Sequence, residues 1–437
     1  MNQLTRRSAL RTMAAGIAAP MAFRAHAAAP SETVYHASFG ASGMAGADIG
    51  SITASKYVKL VAVADVDLRN TAAIKKRFPD VRVYQDWREL LDKEKHLDSV
   101  NVSTPDHMHA PITMSALNRG LSVYTQKPMT QTIREARHVA EAARGKKVVT
   151  QMGTQLHSSA IHRTIAATIR AGAIGKVKEV HSWSGKHWGD TKPRPDRRDP
   201  VPAGFDWNLW LGVAADRPFI SGYYHPGEWR KRLDFGTGTF GDMGCHILDP
   251  VFMSLALTSP TTVRSNGGAP NAHNWGLDSQ VDYVFPATEF TEGALTLHWY
   301  DGDRRPPAEV KALLGEKKDF QDQGSIYIGT KGVLYAPYFQ SPVLLPAGTF
   351  AADAIKNQDG DNHYIQFVEA VRGNGKTSAP FDYAGPLTES VLLGCLATRF
   401  PKTTLEWDAR KVAIANVEEA NHFVGRTYRK GWKVEGL

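Results

Sequence analysis

From Val34 onward, short apolar runs alternate with segments long enough for helices. Positions 34–39, 60–64, 99–102, 122–124 and 148–151 read as strands, whereas 70–78, 109–119 and 133–143 read as helices. This alternation predicts parallel pairing through right-handed crossovers, hence a doubly wound α/β sheet. Past residue 154 the rhythm changes. Segments 177–185, 278–285, 292–300, 323–329 and 332–336 read as strands, and a helix is expected over 386–400. The stretch Ala294-Leu-Thr-Leu-His-Trp-Tyr300 alternates as a sheet with one packed and one exposed face requires.

The 437 residues suffice for two domains, each with its own core. The first 27 residues stand apart, with Arg6 and Arg7, a mild apolar run from Met13 to Phe23, and Ala25-His26-Ala27. That order of basic, apolar and small residues is a signal peptide. The paired arginines and Arg24 resemble a twin-arginine leader, so a periplasmic or otherwise exported location is expected. No later stretch approaches the roughly 20 apolar residues of a membrane span, and no membrane insertion is expected after the leader is removed. The formal charge of +8 falls to +4 once Arg6, Arg7, Arg11 and Arg24 leave with a leader that holds no acid. The remaining charges are interspersed, which excludes a nucleic-acid-binding surface from the reading. Cys245 and Cys395 lie in apolar, helix-like segments without zinc-ligand spacing, and buried thiols are expected.

The first strand runs into Gly40-Ala-Ser-Gly43-Met-Ala45, which fits the GxGxxG/A fingerprint with Ser42 at its central position. There, backbone N–H groups at a helix N-terminus meet a pyrophosphate, with Gly40, Ser42, Gly43 and Met44 as the expected contacts. Asp65 ends the second strand, where its carboxylate would accept hydrogen bonds from ribose hydroxyls and repel a 2′-phosphate. NAD is therefore expected rather than NADP. The other role open to Asp65 or Asp67 is a helix cap. Ser103-Thr-Pro-Asp-His-Met-His109 follows a strand at the carboxyl edge of the sheet, where ligands of open α/β sheets bind. Thr104 and Pro105 are expected on the nicotinamide side, while His107 and His109 are either cofactor contacts or solvated loop histidines. Lys127-Pro128 ends the next strand, where an ammonium can favour the alkoxide-like state of a substrate hydroxyl.

In Asp242-Met-Gly-Cys-His246 the helical spacing puts the acid and the imidazole on one face. An imidazole titrates near neutrality, and a close carboxylate is expected to raise its basicity. The pair is also half of a metal site, but no third ligand stands at matching spacing and no metal is expected. Trp183, Trp188, Trp207, Trp210 and Trp229 crowd the segment between the domains. Trp229 is favoured for substrate, because 224–230 leads into the stretch that carries Asp242 and His246, and Arg230 and His225 are secondary candidates. Arg194, Arg197 and Arg305 fall in Pro-rich loops expected to be disordered or lid-like.

Together these motifs resemble the glucose-fructose oxidoreductase, inositol dehydrogenase and rhizopine-catabolism (Gfo/Idh/MocA) family. The likeness continues through Gly153-Thr-Gln155, Gly172-Ala-Ile-Gly-Lys-Val177, 235–246 and Leu405-Glu-Trp-Asp408, and so covers essentially the mature chain. It implies a Rossmann domain over 31–153 and, over 154–437, an α/β domain with an open, mostly antiparallel sheet that closes the active site and mediates dimers or tetramers. It also implies Gln155 as a cofactor contact, His246 as general base, Asp242 as orienting the substrate or the proton relay, and Lys127 as the substrate-orienting group. Gln126 stands where the family usually has the Glu of Glu-Lys-Pro, and its amide is expected to orient Lys127. The implied reaction is hydride transfer between NAD and a secondary hydroxyl of a sugar, glycoside or cyclitol. A second reading is NAD-dependent glycoside cleavage by transient oxidation, elimination and re-reduction. A third, a binding protein without chemistry, is opposed by the presence of Lys127, Asp242 and His246 together. Free NAD is scarce outside the cytoplasm, so the dinucleotide is expected to be loaded before export and held tightly.

Overall fold

The computed structural model describes residues 32–315 and 319–437, so the proposed leader lies outside the described residues. Six parallel strands form the first sheet: β1 (Val34–Phe39), β2 (Val58–Ala64), β3 (Arg82–Tyr84), β4 (Ser99–Val102), β5 (Ser122–Thr125) and β6 (Thr150–Met152). Their order is β3-β2-β1-β4-β5-β6, which makes the expected doubly wound sheet. The chain reverses its direction of travel across the sheet between β1 and β4, and the carboxyl ends of those strands open a crevice there. Every residue of β4 and β5 is buried, which is why both read as unbroken apolar or small-residue runs.

The second sheet has nine strands: β7 (Val177–Ser184), β8 (Thr262–Ser265), β9 (Gln280–Phe285), β10 (Thr291–Asp301), β11 (Gln323–Gly329), β12 (Val333–Pro337), β13 (Val343–Leu345), β14 (Thr404–Asp408) and β15 (Ala413–Ile414). Only the β7–β10 pair is parallel, and all other pairs are antiparallel. On one face, Val281, Tyr283, Leu295, Leu297 and Trp299 are buried beneath the helices Gly238–Ile247 and Phe381–Ala397. There Phe240 stacks on Trp299 at 4.5 Å, and the Tyr283 hydroxyl donates to the Ser390 carbonyl at 2.8 Å. The opposite face is polar, with His298 held between Asp282 at 2.6 Å and Glu179 at 3.0 Å.

The two sheets are tied together around the long helix Phe381–Ala397. Glu389 on it takes both Arg137 guanidinium nitrogens at 2.8 Å from the helix Ile133–Arg144 of the first domain. The chain end also returns to the first domain, where Tyr428 donates to Glu135 at 2.6 Å. Both cysteines are free and buried, and burial pushes the Cys245 thiol up to about 12. Among the described residues no helix is long and apolar enough to cross a membrane.

Candidate active site

A cavity of about 300 Å³ follows the carboxyl edge of the first sheet. Gly40, Ser42, Gly43 and Met44 form one end, Asp65 a side wall, Thr104, Pro105 and His109 the middle, and Lys127, Trp229 and Arg230 the far end. Gly40 has φ +102°, and a Cβ there would lie 2.8 Å from the Ser103 carbonyl oxygen. The helix Met44–Ile52 starts directly after Gly43, and no side chain caps its first turn. Those free N–H groups fit a pyrophosphate. Asp65 accepts from the amides of Ala41 at 3.0 Å and Asp67 at 2.9 Å, so its carboxylate ties the glycine loop to the end of β2. Burial raises its pKa against those hydrogen bonds. An acid on the wall and uncapped amides at the loop together fit a dinucleotide without a 2′-phosphate.

His109 binds the loops after β4 and β5 to each other, one ring nitrogen 2.7 Å from the Pro128 carbonyl and the other 2.8 Å from that of Thr104. His107 corrects the expectation of a cofactor contact. It is buried between Trp210 and Phe235, at 5.6 and 5.0 Å, outside the cavity lining, and bonds the Trp210 carbonyl at 3.0 Å. Burial lowers its pKa to about 3, so it is a neutral core histidine. Gln155 also lies outside the lining and donates to the Tyr364 hydroxyl at 3.2 Å.

Beyond the far end, Lys127 reaches across the domains. Its ammonium donates to the Asp242 carboxylate at 2.6 Å and to the Asp242 carbonyl at 2.9 Å. Arg230 adds a hydrogen bond to the same oxygen at 3.2 Å, and Lys186 stands 3.8 Å from the other. Burial by itself would raise the Asp242 carboxyl, but Lys127, then Arg230, hold it well below the usual carboxylate range. Arg230 is fixed in turn between the rings of Trp229 at 4.4 Å and Trp188 at 5.5 Å.

His246 lies one turn along the same helix, its Nδ1 buried and without a partner. Its basicity departs from the expectation. Burial, reinforced by the Lys127 charge, lowers its pKa to about 3, and the opposing pull of Asp242 is the weaker effect because that carboxylate is committed to Lys127 and Arg230. Tyr338 packs beside it at 6.2 Å. Behind lies Asp249, fully buried and bonded by His157 at 2.8 Å, His162 at 3.1 Å and Tyr383 at 2.7 Å. Of the tryptophans, Trp183, Trp207 and Trp210 serve cores, although Trp210 also touches the cavity. Arg197 bonds Asp199 at 2.8 Å and, across to the next segment, the Ser221 carbonyl at 3.0 Å, and Arg305 bonds the nearby Gly302 carbonyl at 2.8 Å.

Residues 37–154 match the family described as an oxidoreductase family with an NAD-binding Rossmann fold, and residues 160–288 match its C-terminal alpha/beta domain. The two matches cover more than half of the chain. The chain belongs to the Gfo/Idh/MocA oxidoreductase family. It is 24% identical over 191 residues to a levoglucosan dehydrogenase of Pseudarthrobacter phenanthrenivorans, covering 44% of this chain and 40% of the relative. It is 29% identical over 127 residues to an inositol 2-dehydrogenase of Rubrobacter xylanophilus, covering 29% of this chain and 36% of the relative. The chain thus spans under half the length of these curated relatives. A solved WlbA dehydrogenase from Bordetella pertussis, in complex with NADH and UDP-GlcNAcA, superposes with a TM-score of 0.63 at 12% identity over 86% of this chain and 98% of that one. That likeness shows the shared fold.

Against this family background the position of Gln126 changes meaning. Its amide does not orient Lys127. It donates instead to both carboxylate oxygens of Asp48, at 3.0 and 2.9 Å, and Ser103 and Tyr364 complete the shell of that acid at 2.6 and 2.8 Å. Asp48, Tyr364, Lys186 and Tyr338 were not singled out from the sequence, and Gln126 drew notice only as a departure from the Glu expected there.

Proposed function

We propose that the protein transfers a hydride between a secondary hydroxyl of a sugar, glycoside or cyclitol and NAD held in the groove. The observation that carries this reading is the Lys127–Asp242 pair at the end of the dinucleotide groove, with a neutral His246 one helical turn away. Bound NAD supplies the hydride acceptor or donor. Lys127 presents an ammonium to the reacting oxygen, and Asp242, ionised despite burial, keeps that ammonium aimed. His246 is in the form that can take the hydroxyl proton, since burial keeps it neutral throughout the physiological range. Asp65 supports NAD over NADP. The printed activities of the relatives, on levoglucosan and inositol, support a polyhydroxylated ring as substrate.

His246→Ala should remove turnover, by about 10²–10⁴-fold, while leaving bound NAD in place. An unchanged kcat would sink the assignment. Incubation with aryl glycosides and no added cofactor separates the two reactions open to this site. Accumulating ketone with NADH supports net oxidation, and aglycone release without either supports redox-neutral cleavage. The reading also includes homo-oligomers formed through the polar face of the nine-stranded sheet around Glu179 and His298.

A further inference from the structure

A second cavity, of about 390 Å³, lies apart from the dinucleotide groove, where the loop preceding the Asp242 helix, the end of the helix Phe381–Ala397 and the C-terminal tail converge. Three arginines line it, Arg217, Arg399 and Arg426, against a single acid, Asp234. Arg217 is paired with Asp234, which uses the one carboxylate available. Burial would raise the Asp234 carboxyl, yet Arg217, Arg426 and Arg399 together pull it below its ordinary value, so all three cations converge on one spot.

The other two arginines have no carboxylate in contact. Arg426 donates through one guanidinium nitrogen to Gln131 and to the Asp234 carbonyl, but its Nε is buried with no partner. The Arg399 guanidinium makes no hydrogen bond among the described residues. It lies between the rings of Trp275 at 5.1 Å and Phe423 at 4.5 Å, and burial lowers its pKa. Its place after a helix C-terminus accounts for a cation, but not for a guanidinium sunk into a cavity without an acceptor. A buried donor left unpaired costs free energy, and more when it is charged. The unpaired Arg426 Nε and, beside it, an Arg399 guanidinium that meets no acceptor among the described residues mark a place prepared for an acceptor that the chain does not itself provide.

We propose that this cavity is a binding site for a small phosphate-bearing solute. Two positive charges remain after Asp234 is neutralised, matching a dianion, and planar guanidiniums fit tetrahedral oxyanions in paired hydrogen bonds. The volume falls within the roughly 300–1,000 Å³ of small-molecule sites and leaves room for a short organic group on the phosphate. The site stands independently of the redox reading.

The test uses the full mature protein saturated with NAD, so that the dinucleotide groove is blocked, and titrates inorganic phosphate by calorimetry at fixed ionic strength. One saturable site per chain is expected, weakened at least tenfold in Arg399→Gln and in Arg426→Gln, with bound NAD retained in both. Should Arg426→Gln fail to fold, Arg399→Gln, which removes no hydrogen bond, carries the comparison. Sulfate should compete and acetate should not. Tighter binding of glycerol 1-phosphate than of inorganic phosphate assigns the site to phosphate esters, and the reverse assigns it to the free anion. Heats that never saturate, equal affinity in wild type and Arg399→Gln, or acetate binding as tightly as phosphate would each overturn the proposal.

Discussion

The fate of one carboxylate explains much of the catalytic rim. Asp48 is fully buried with no cation in contact, and burial raises its pKa against the hydrogen bonds from Ser103, Gln126 and Tyr364. An amide at position 126 suits that acid because it can donate, whereas the family's Glu would set two acceptors face to face. Gln126→Glu should therefore destabilise the protein by roughly 1–3 kcal/mol, and Asp48→Asn in the same chain should restore more than half of the loss by exchanging donor and acceptor. Chemical denaturation of the three variants measures this, and a double variant no better than Gln126→Glu would rule out the exchange. Lys127, Asp242, Trp229 and Arg230 were legible in the sequence because their spacing and edge positions carry the chemistry. The His246 environment was not, since a helical repeat places two side chains on one face but does not say which neighbour a carboxylate will bind. His107 was misplaced for a related reason: its loop lies on the ligand edge, yet Trp210 and Phe235, distant in sequence, enclose it.

Elements at the sheet edge turn these residues into a site. β4 and β5 are buried on both faces, so they were read correctly from their apolar runs, as were β7, β9, β10, β11 and β12 to within a few residues. Short edge strands escaped notice: β3, β13 and β15 span only three, three and two residues, and β3 opens with an exposed Arg82. The loops after β4 and β5 carry Thr104 and Lys127, and the His109 ring lies between them, bonded to both. His109→Ala would remove the ring that stands between the Thr104 and Pro128 carbonyls and let the two loops move apart. The expected result is a several-fold weaker NAD affinity together with a lower kcat, with near-native far-UV circular dichroism. His109→Gln, able to serve one carbonyl, should fall between. Fluorescence titration of NAD checks both, and wild-type affinity in His109→Ala would show that the loops hold their spacing without the ring.

At the scale of the molecule, the second domain does more than close the substrate end. Its segment around 204–226 crosses to the far, adenosine side of the groove. The Gly204 carbonyl accepts from the Leu68 amide at 2.9 Å, the Asp206 amide donates to the Val66 carbonyl at 2.9 Å, and Phe205 bridges Asp67. His225, 3.3 Å from Asp67, and Pro226 then form part of the cavity wall itself. A dinucleotide in the groove is thus enclosed from both domains, and its release requires this strap to part from the end of β2, where three main-chain contacts and a buried aromatic cluster of Phe205, Trp210, Phe219 and Tyr224 resist it. If the leader proposed from the sequence exports the protein, slow release is the property it needs, because lost cofactor is not replaced outside the cytoplasm. The purified mature protein should carry close to one dinucleotide per chain through gel filtration, identified as NAD by mass spectrometry after denaturation. Phe205→Ser, which loosens the strap without touching Lys127, Asp242 or His246, should lose that cofactor at least tenfold faster while regaining wild-type turnover when NAD is supplied in excess. If the variant holds NAD as long as the wild type, retention is set by the glycine loop and Asp65, and the strap serves only to cover the groove.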